Sequence, residues 1–263
     1  MDILSIIFTG IIGLVFGSFM NVLIMRVPKN ISIVKPSSFC PQCMEDIVWK
    51  DNIPVVSYIL LKGRCRHCKK SIPIMYPMTE ILTALLFIII YLKFGLSLIF
   101  FKYVIFIFLV LTVSLTDIYT SADENFETGM IPTVYIALGI FAGLIFGLLE
   151  GYFAYYLAGI AAGYLILFFP AYFYSKIRHK EGMGEGDFMF FAMIGAFTGI
   201  GSIAAVLTFA SFFGIVAGII VIIIMKDRNY PIPFAPMLGV SAIIYVFFEE
   251  LLNSYNWSSF IIN

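Results

Sequence analysis

Eight runs of mainly apolar residues make up most of the chain and leave few folds open to it. They cover about 3–25, 78–93, 97–116, 131–149, 152–174, 187–200, 202–225 and 233–252. A helix needs about 20 such residues to cross a hydrocarbon core of about 30 Å, fewer where the bilayer thins. The expectation is an all-α polytopic membrane protein with about eight transmembrane helices. Composition agrees, since only 12% of residues are charged against about 25% in soluble domains. Nothing points to nucleic acid as a partner, and the lipid bilayer is the first partner implied. The run from Ile3 to Met25 has no positive charge before it and ends in Arg26-Val27-Pro28-Lys29 rather than a small-residue cleavage site. It is therefore read as a retained helix and not a signal peptide.

Lys and Arg accumulate on the cytoplasmic side of membrane helices, which orients the bundle. With the N-terminus outside, the inner segments hold nine basic residues between Arg26 and Lys70, then Lys176, Arg178, Lys180, Lys226 and Arg228, fourteen of sixteen in all. Lys93 and Lys102 flank the outer turn between the second and third helices, where long side chains snorkel to the interface. Both termini are thus expected outside. The domain reading is a first helix at 1–25, a cytoplasmic insertion at 26–77 and a membrane bundle at 78–263.

An insertion of that size buries too little apolar surface to be stable alone. Its cysteines suggest the staple, because Cys40-Pro41-Gln42-Cys43 and Cys65-Arg66-His67-Cys68 are two CxxC pairs with 21 residues between them. Paired knuckles at this separation suit tetrahedral zinc, and the reducing cytoplasm favours metal over disulfide. Four thiolates leave no open coordination position, so the zinc expected on Cys40, Cys43, Cys65 and Cys68 is structural. His67 is read as an exposed polar residue.

Within the bundle the informative stretch is Gly184-Glu185-Gly186-Asp187, which delivers a carboxylate to the edge of the apolar run Phe188–Ala196. Flanking glycines allow turns closed to other residues. The alternative is that Asp187 simply caps a helix. A second acid at the same depth is sought after the third helix, among Asp117, Asp123, Glu124 and Glu127. Asp117 terminates the apolar run Tyr103–Thr116 and lies on the same side as Asp187 in the topology above. Either residue alone reads as a solvated helix end; together they suggest a pair. Two adjacent carboxylates share one proton, so one can activate water while the other polarises a peptide carbonyl, as in aspartic peptidases. Glu80, just inside the second helix, is a costly membrane residue that either pairs structurally or meets a substrate group. Gly17-Ser18-Phe19-Met20-Asn21 reads as interhelical packing.

Taken together, these motifs resemble the type IV prepilin peptidase family, the leader peptidases and N-methyltransferases of pilus, type II secretion and competence systems. Gly17 to Asn21 and Arg26-Val27-Pro28 resemble its opening helix. Trp49 to Pro54 and Gly63 to Arg66 resemble its zinc domain, and Tyr76-Pro77-Met78-Thr79-Glu80 its second-helix entry. Gly184, Gly186 and Asp187 match its GxGD motif, and Pro233-Phe234-Ala235-Pro236 its last-helix signature. The resemblance implies Asp117 and Asp187 as catalytic residues and cleavage of prepilins and pseudopilins after a short basic leader at the cytoplasmic face of the inner membrane. It further implies methylation of the new N-terminus with S-adenosylmethionine, with Glu80 a neighbour of substrate or methyl transfer. The family has an Ile/Leu-Pro pair about six residues after the first Asp. Here Ile131-Pro132 comes later, after an acidic insertion at Tyr119–Met130, and Thr133 replaces an acidic residue. Asp123 is thus the alternative first aspartate. Two other classes stay open, a transporter or channel whose acids bind protons or cations, and a non-catalytic pilus-assembly scaffold.

Overall fold

The structure, a computed structural model, describes residues 2–124, 126, 129–180, 183–225 and 232–254. Glu127, Lys226 and Arg228, which entered the expectations above, lie outside the described residues. Nine α-helices occur among the described residues: α1 (Ile3–Arg26), α2 (Val56–Leu60), α3 (Met75–Phe94), α4 (Leu98–Ser121), α5 (Thr133–Leu149), α6 (Phe153–Arg178), α7 (Glu185–Thr198), α8 (Ile203–Met225) and α9 (Ala235–Ser254). All but α2 fall on the apolar runs. Five are long and apolar enough to cross a membrane: α1, α3, α4, α6, and α8 with the 3-10 turn that leads into it. At 14 residues, α7 spans roughly 21 Å, short of a hydrocarbon core of about 30 Å.

The chain forms two compact units, Met1–Val104 and Ile105–Asn263. In the first, α1 and α3 pack backbone to backbone. A Cβ on Gly13 would lie 2.5 Å from the Ala84 Cα, and one on Gly17 would lie 2.6 Å from the Glu80 Cα. Lipid tails are as apolar as the side chains they replace, so helices associate in a bilayer through such close contact and through polar pairs. The polar pair here is Asn21 with Thr79. The Thr79 hydroxyl donates to the Asn21 Oδ1 at 2.7 Å, and the Asn21 amide donates to the Tyr76 carbonyl at 3.2 Å. Arg26, read in the sequence as a topology marker and part of the opening-helix resemblance, organises the chain leaving the membrane. Its guanidinium donates to the carbonyls of Ser32, Pro36 and Ser37 and lies over the Phe39 ring.

In the second unit α7 is the buried centre, with every residue from Phe190 to Thr198 out of solvent. Glycines on both neighbours admit it. A Cβ on Gly143 of α5 would lie 2.6 Å from the Ala196 carbonyl oxygen, and one on Gly163 of α6 would lie 2.6 Å from that of Phe191. Where α6 and α7 approach most closely, glycine faces glycine: a Cβ on Gly195 would lie 2.2 Å from the Gly159 oxygen. Phe197 fills the remaining space against Phe106 and Phe146, with ring centroids 5.0 and 6.5 Å away.

α4 does not stop at Thr116 but continues through Ser121, so Asp117 lies more than a turn inside the helix rather than at its end. The reason is local. Residues 117–121 contain no glycine or proline, and Thr112, Thr116 and Thr120 fold their hydroxyls back onto the carbonyls of Phe108, Thr112 and Thr116, satisfying each hydroxyl within the helix.

The glycine contact yields a direct prediction. Gly195→Ala forces the α6 and α7 backbones apart and is expected to cost roughly 1–3 kcal/mol, typical of an overpacked core. Gly214→Ala, whose new Cβ would meet nothing closer than 3.7 Å, is expected to be neutral. Thermal unfolding of both variants in detergent checks this, and equal midpoints would refute the close-packing account.

Candidate active site and metal centre

Asp187 is not a helix cap. Gly184 occupies the cap position in extended conformation, and Asp187 is the third residue of α7, its N–H donating to the Gly184 carbonyl at 3.1 Å. Neither motif glycine has a positive φ, so the turn freedom expected of them is not what the fold uses. Gly186 instead provides room, since a Cβ there would press on Ile131 at 3.2 Å, whereas one on Gly184 would find open space up to the Asp187 Oδ2 at 3.9 Å.

The fold brings Asp117 to this turn. Asp117 is only 5% exposed and Asp187 is half-buried, and the two carboxylates lie within electrostatic reach of each other. The backbone N–H of Ala235, the first residue of α9, donates to the Asp117 carboxylate. α9 gets this close to α4 because Gly239 sits against Ser114 and Val110. Thr116, the residue before Asp117 on α4, hydrogen-bonds the buried Tyr135 of α5. The residues after α4 also return to the site. The Met130 N–H donates to the Thr120 Oγ1 at 2.7 Å, and Gly129 lies so close to Asp117 that a Cβ would fall 2.1 Å from its Oδ1.

The carboxylate acting on Asp187 is therefore that of Asp117, not of Asp123, which lies past the end of α4. Sequence reasoning missed the Ala235 donor, the Gly129 contact and the Tyr135 hydrogen bond. Of these only Pro233-Phe234-Ala235-Pro236 carried a signal, as a helix start marked by proline in the first turn.

Glu80 belongs to the first unit. It is buried, its Oε2 accepts the Val55 N–H at 2.7 Å, and Ser18 hydrogen-bonds it as well. Val55 has φ 59°, a strained conformation for a β-branched residue, and it opens the short helix α2. The carboxylate thus ties a strained turn of the insertion to the top of α3.

The insertion itself is built on two like knuckles. In each, the first cysteine N–H bonds a carbonyl five residues on, Cys40 to Glu45 and Cys65 to Lys70, and the residue after the second cysteine, Met44 or Lys69, has positive φ. Short antiparallel bridges, Phe39 with Asp46 and Arg64 with Ser71, flank them. The Sγ atoms of Cys40, Cys43, Cys65 and Cys68 all lie within 4.8 Å of one another, with Cys40 and Cys68 at 3.9 Å. A tetrahedral ion with metal–sulfur bonds of about 2.3 Å has sulfurs about 3.8 Å apart, so the four thiols fit zinc. His67 is exposed and outside this group. The second knuckle is tied to the 3-10 turn Trp49–Asn52 by a bidentate pair, Arg66 to Asp51 with both contacts at 2.6 Å, and the guanidinium holds the Asp51 carboxyl below its ordinary value.

Metal analysis of the purified protein is expected to give one zinc per chain. The double substitution Cys40→Ser with Cys43→Ser is expected to abolish it and expose the insertion to protease. A wild type without zinc would refute the metal centre. Gly129→Ala is expected to leave zinc and folding intact while displacing Asp117 and lowering activity at least tenfold; unchanged activity would show that the Gly129 contact is not part of the site.

Two family models match the chain, the Bacterial Peptidase A24 N-terminal domain at residues 11–94 and the Type IV leader peptidase family at residues 104–219. The chain is 32% identical to the prepilin leader peptidase/N-methyltransferase of Neisseria gonorrhoeae, over 94% of its own length and 92% of the relative's. For the protein of the same description from Bacillus subtilis the figures are 33%, 96% and 97%, and for that from Pseudomonas aeruginosa 30%, 94% and 92%. No solved structure matches significantly. With matches over nearly its full length and two acids meeting at a GxGD turn, the chain belongs to the type IV leader peptidase family.

Proposed function

We propose that this protein is a membrane-embedded aspartic endopeptidase that removes the leader of type IV prepilin-like proteins and N-methylates the new N-terminus. The observation that carries the reading is the pairing of Asp117 with Asp187, the former held by the Ala235 N–H. In the proposed reaction one carboxylate is ionised and takes a proton from water, and the other, protonated, hydrogen-bonds the scissile carbonyl. The hydroxide formed adds to that carbonyl, and the tetrahedral intermediate collapses as the leaving amine takes a proton. The pair titrates as a unit, so acid and base roles are not divided between the two residues.

The site faces the cytoplasm in this proposal, with both termini outside and the zinc domain inside, supported by the one-sided distribution of Lys and Arg. Prepilins and pseudopilins are the proposed substrates and the inner membrane the proposed location, in keeping with the names of the relatives. S-adenosylmethionine would supply the methyl group. Glu80 is proposed to act through the Val55 turn, holding the zinc domain beside the membrane where methyl transfer would occur. Acids placed at one end of α4 and α7 fit a peptidase better than a transporter, whose site is expected near the bilayer midplane.

Cleavage of a prepilin-like peptide in lipid tests the reading. Asp117→Asn and Asp187→Asn are each expected to lose about 10²-fold or more of the rate, the range of a missing proton-transfer group, while Asp123→Asn cuts normally. Activity retained by Asp117→Asn and lost in Asp123→Asn would move the first aspartate. A folded wild type that cuts no such peptide would return the transporter and scaffold readings.

A further inference from the structure

From Asn52 to Thr79 the chain contains no carboxylate, yet Lys62, Arg64, Arg66, Lys69 and Lys70 fall within it. Four of these five cations line one cavity of about 410 Å³, together with Leu60, Leu61 and the metal-site cysteine Cys65. The cations are held by the fold. Lys62 and Gly63 form a positive-φ turn after α2, Arg64 bridges to Ser71, and Lys69 takes the positive-φ position of the second zinc knuckle. Arg66 is committed to Asp51. Among the described residues no carboxylate pairs with Lys62, Arg64 or Lys69, and all three side chains are exposed. Like charges fixed around a cavity repel one another, and an anion relieves the repulsion.

The apolar surroundings and the tether indicate which anion. Ile59 and Leu60 beside the cations are 66% and 74% exposed, a pattern of cations next to protruding apolar groups that suits the headgroup and acyl boundary of a bilayer. The membrane helix α3 begins at Met75, six residues after Lys69, so the cavity lies within roughly 20 Å of the start of that helix by chain length alone. Anionic headgroups are the phosphates at highest local concentration there, and they attract basic segments. A cationic peptide would be repelled.

We propose that this cavity binds the phosphate headgroup of an anionic phospholipid and rests the zinc domain on the membrane surface. The site is separate from the aspartate pair and does not depend on the peptidase reading.

The zinc-loaded full-length protein in neutral detergent can be titrated with phosphatidylglycerol or phosphatidylcholine and followed by native mass spectrometry. Saturable binding of phosphatidylglycerol over phosphatidylcholine is expected. The combined Lys62→Gln, Arg64→Gln and Lys69→Gln variant is expected to weaken it about a hundredfold, from about fivefold per charge, while Lys29→Gln with Lys50→Gln leaves it unchanged. Undiminished binding by the triple variant would overturn the proposal, as would displacement of the lipid by equimolar inorganic phosphate, which would assign a soluble anion instead. A readout without variants covers the case in which the triple substitution disturbs the knuckle. Lys62 and Lys69 of the wild type are expected to resist amine acetylation in phosphatidylglycerol nanodiscs relative to phosphatidylcholine ones, and equal labelling would refute the site.

Discussion

The glycine-to-glycine contact between α6 and α7 is the constraint on which the second unit depends. In a bilayer there is no solvent to drive helices together, so attraction comes from dispersion at short range and falls off within an ångström of added separation. Gly159 and Gly163 on one side and Gly143 on the other let α7 settle between its neighbours with backbone against backbone, and Gly139 makes room for the Met193 side chain. That depth, not the flexibility of the motif glycines, places Asp187 at a fixed height. α9 is positioned by the same device, since Gly239 lets its first N–H reach Asp117.

The first unit solves a different problem, fixing a small polar insertion to a pair of membrane helices. It does so at three points. Arg26 gathers the outgoing chain through three carbonyls, the cysteine cluster closes the two knuckles on each other, and Glu80 reaches up to the Val55 N–H. A buried carboxylate is expensive unless satisfied. Here its acceptors are used by a backbone amide and by Ser18, which makes its burial consistent with holding a strained turn.

Much of this architecture was legible in the residues. Apolar runs located eight of the helices, because helix length in lipid is set by composition more than by subtle pattern, but among the described residues five of them, not eight, are long and apolar enough to cross a membrane. Cysteine spacing located the cluster of four thiols, because a knuckle is a local turn. Asp117 and Asp187, sought as acids at equal depth, do come within electrostatic reach of each other. What escaped were features set by contacts distant in sequence or by weak local preference. The end of α4 was placed too early because an aspartate after an apolar run looks like a boundary, while residues 118–121 hold no glycine or proline to stop the helix. The cap of α7 was assigned to Asp187 as an alternative, although Gly184 takes it. Gly129 gave no signal, since its contact with Asp117 depends on how the chain returns.

That return ties the chain after α4 back to the helix at two neighbouring points. The Thr120 hydroxyl accepts the Met130 N–H while donating to the Thr116 carbonyl, so the chain is joined to itself at Thr120 and Met130. Ile131 then meets Gly186 directly. Residues added beyond such a neck enlarge a loop whose ends are already joined, and doubling a loop's length costs only about 0.6 kcal/mol. The placing of Asp117 is thereby insulated from the length of chain between Thr120 and Gly129, while Gly129 and Met130 at the neck belong to the frame around that acid.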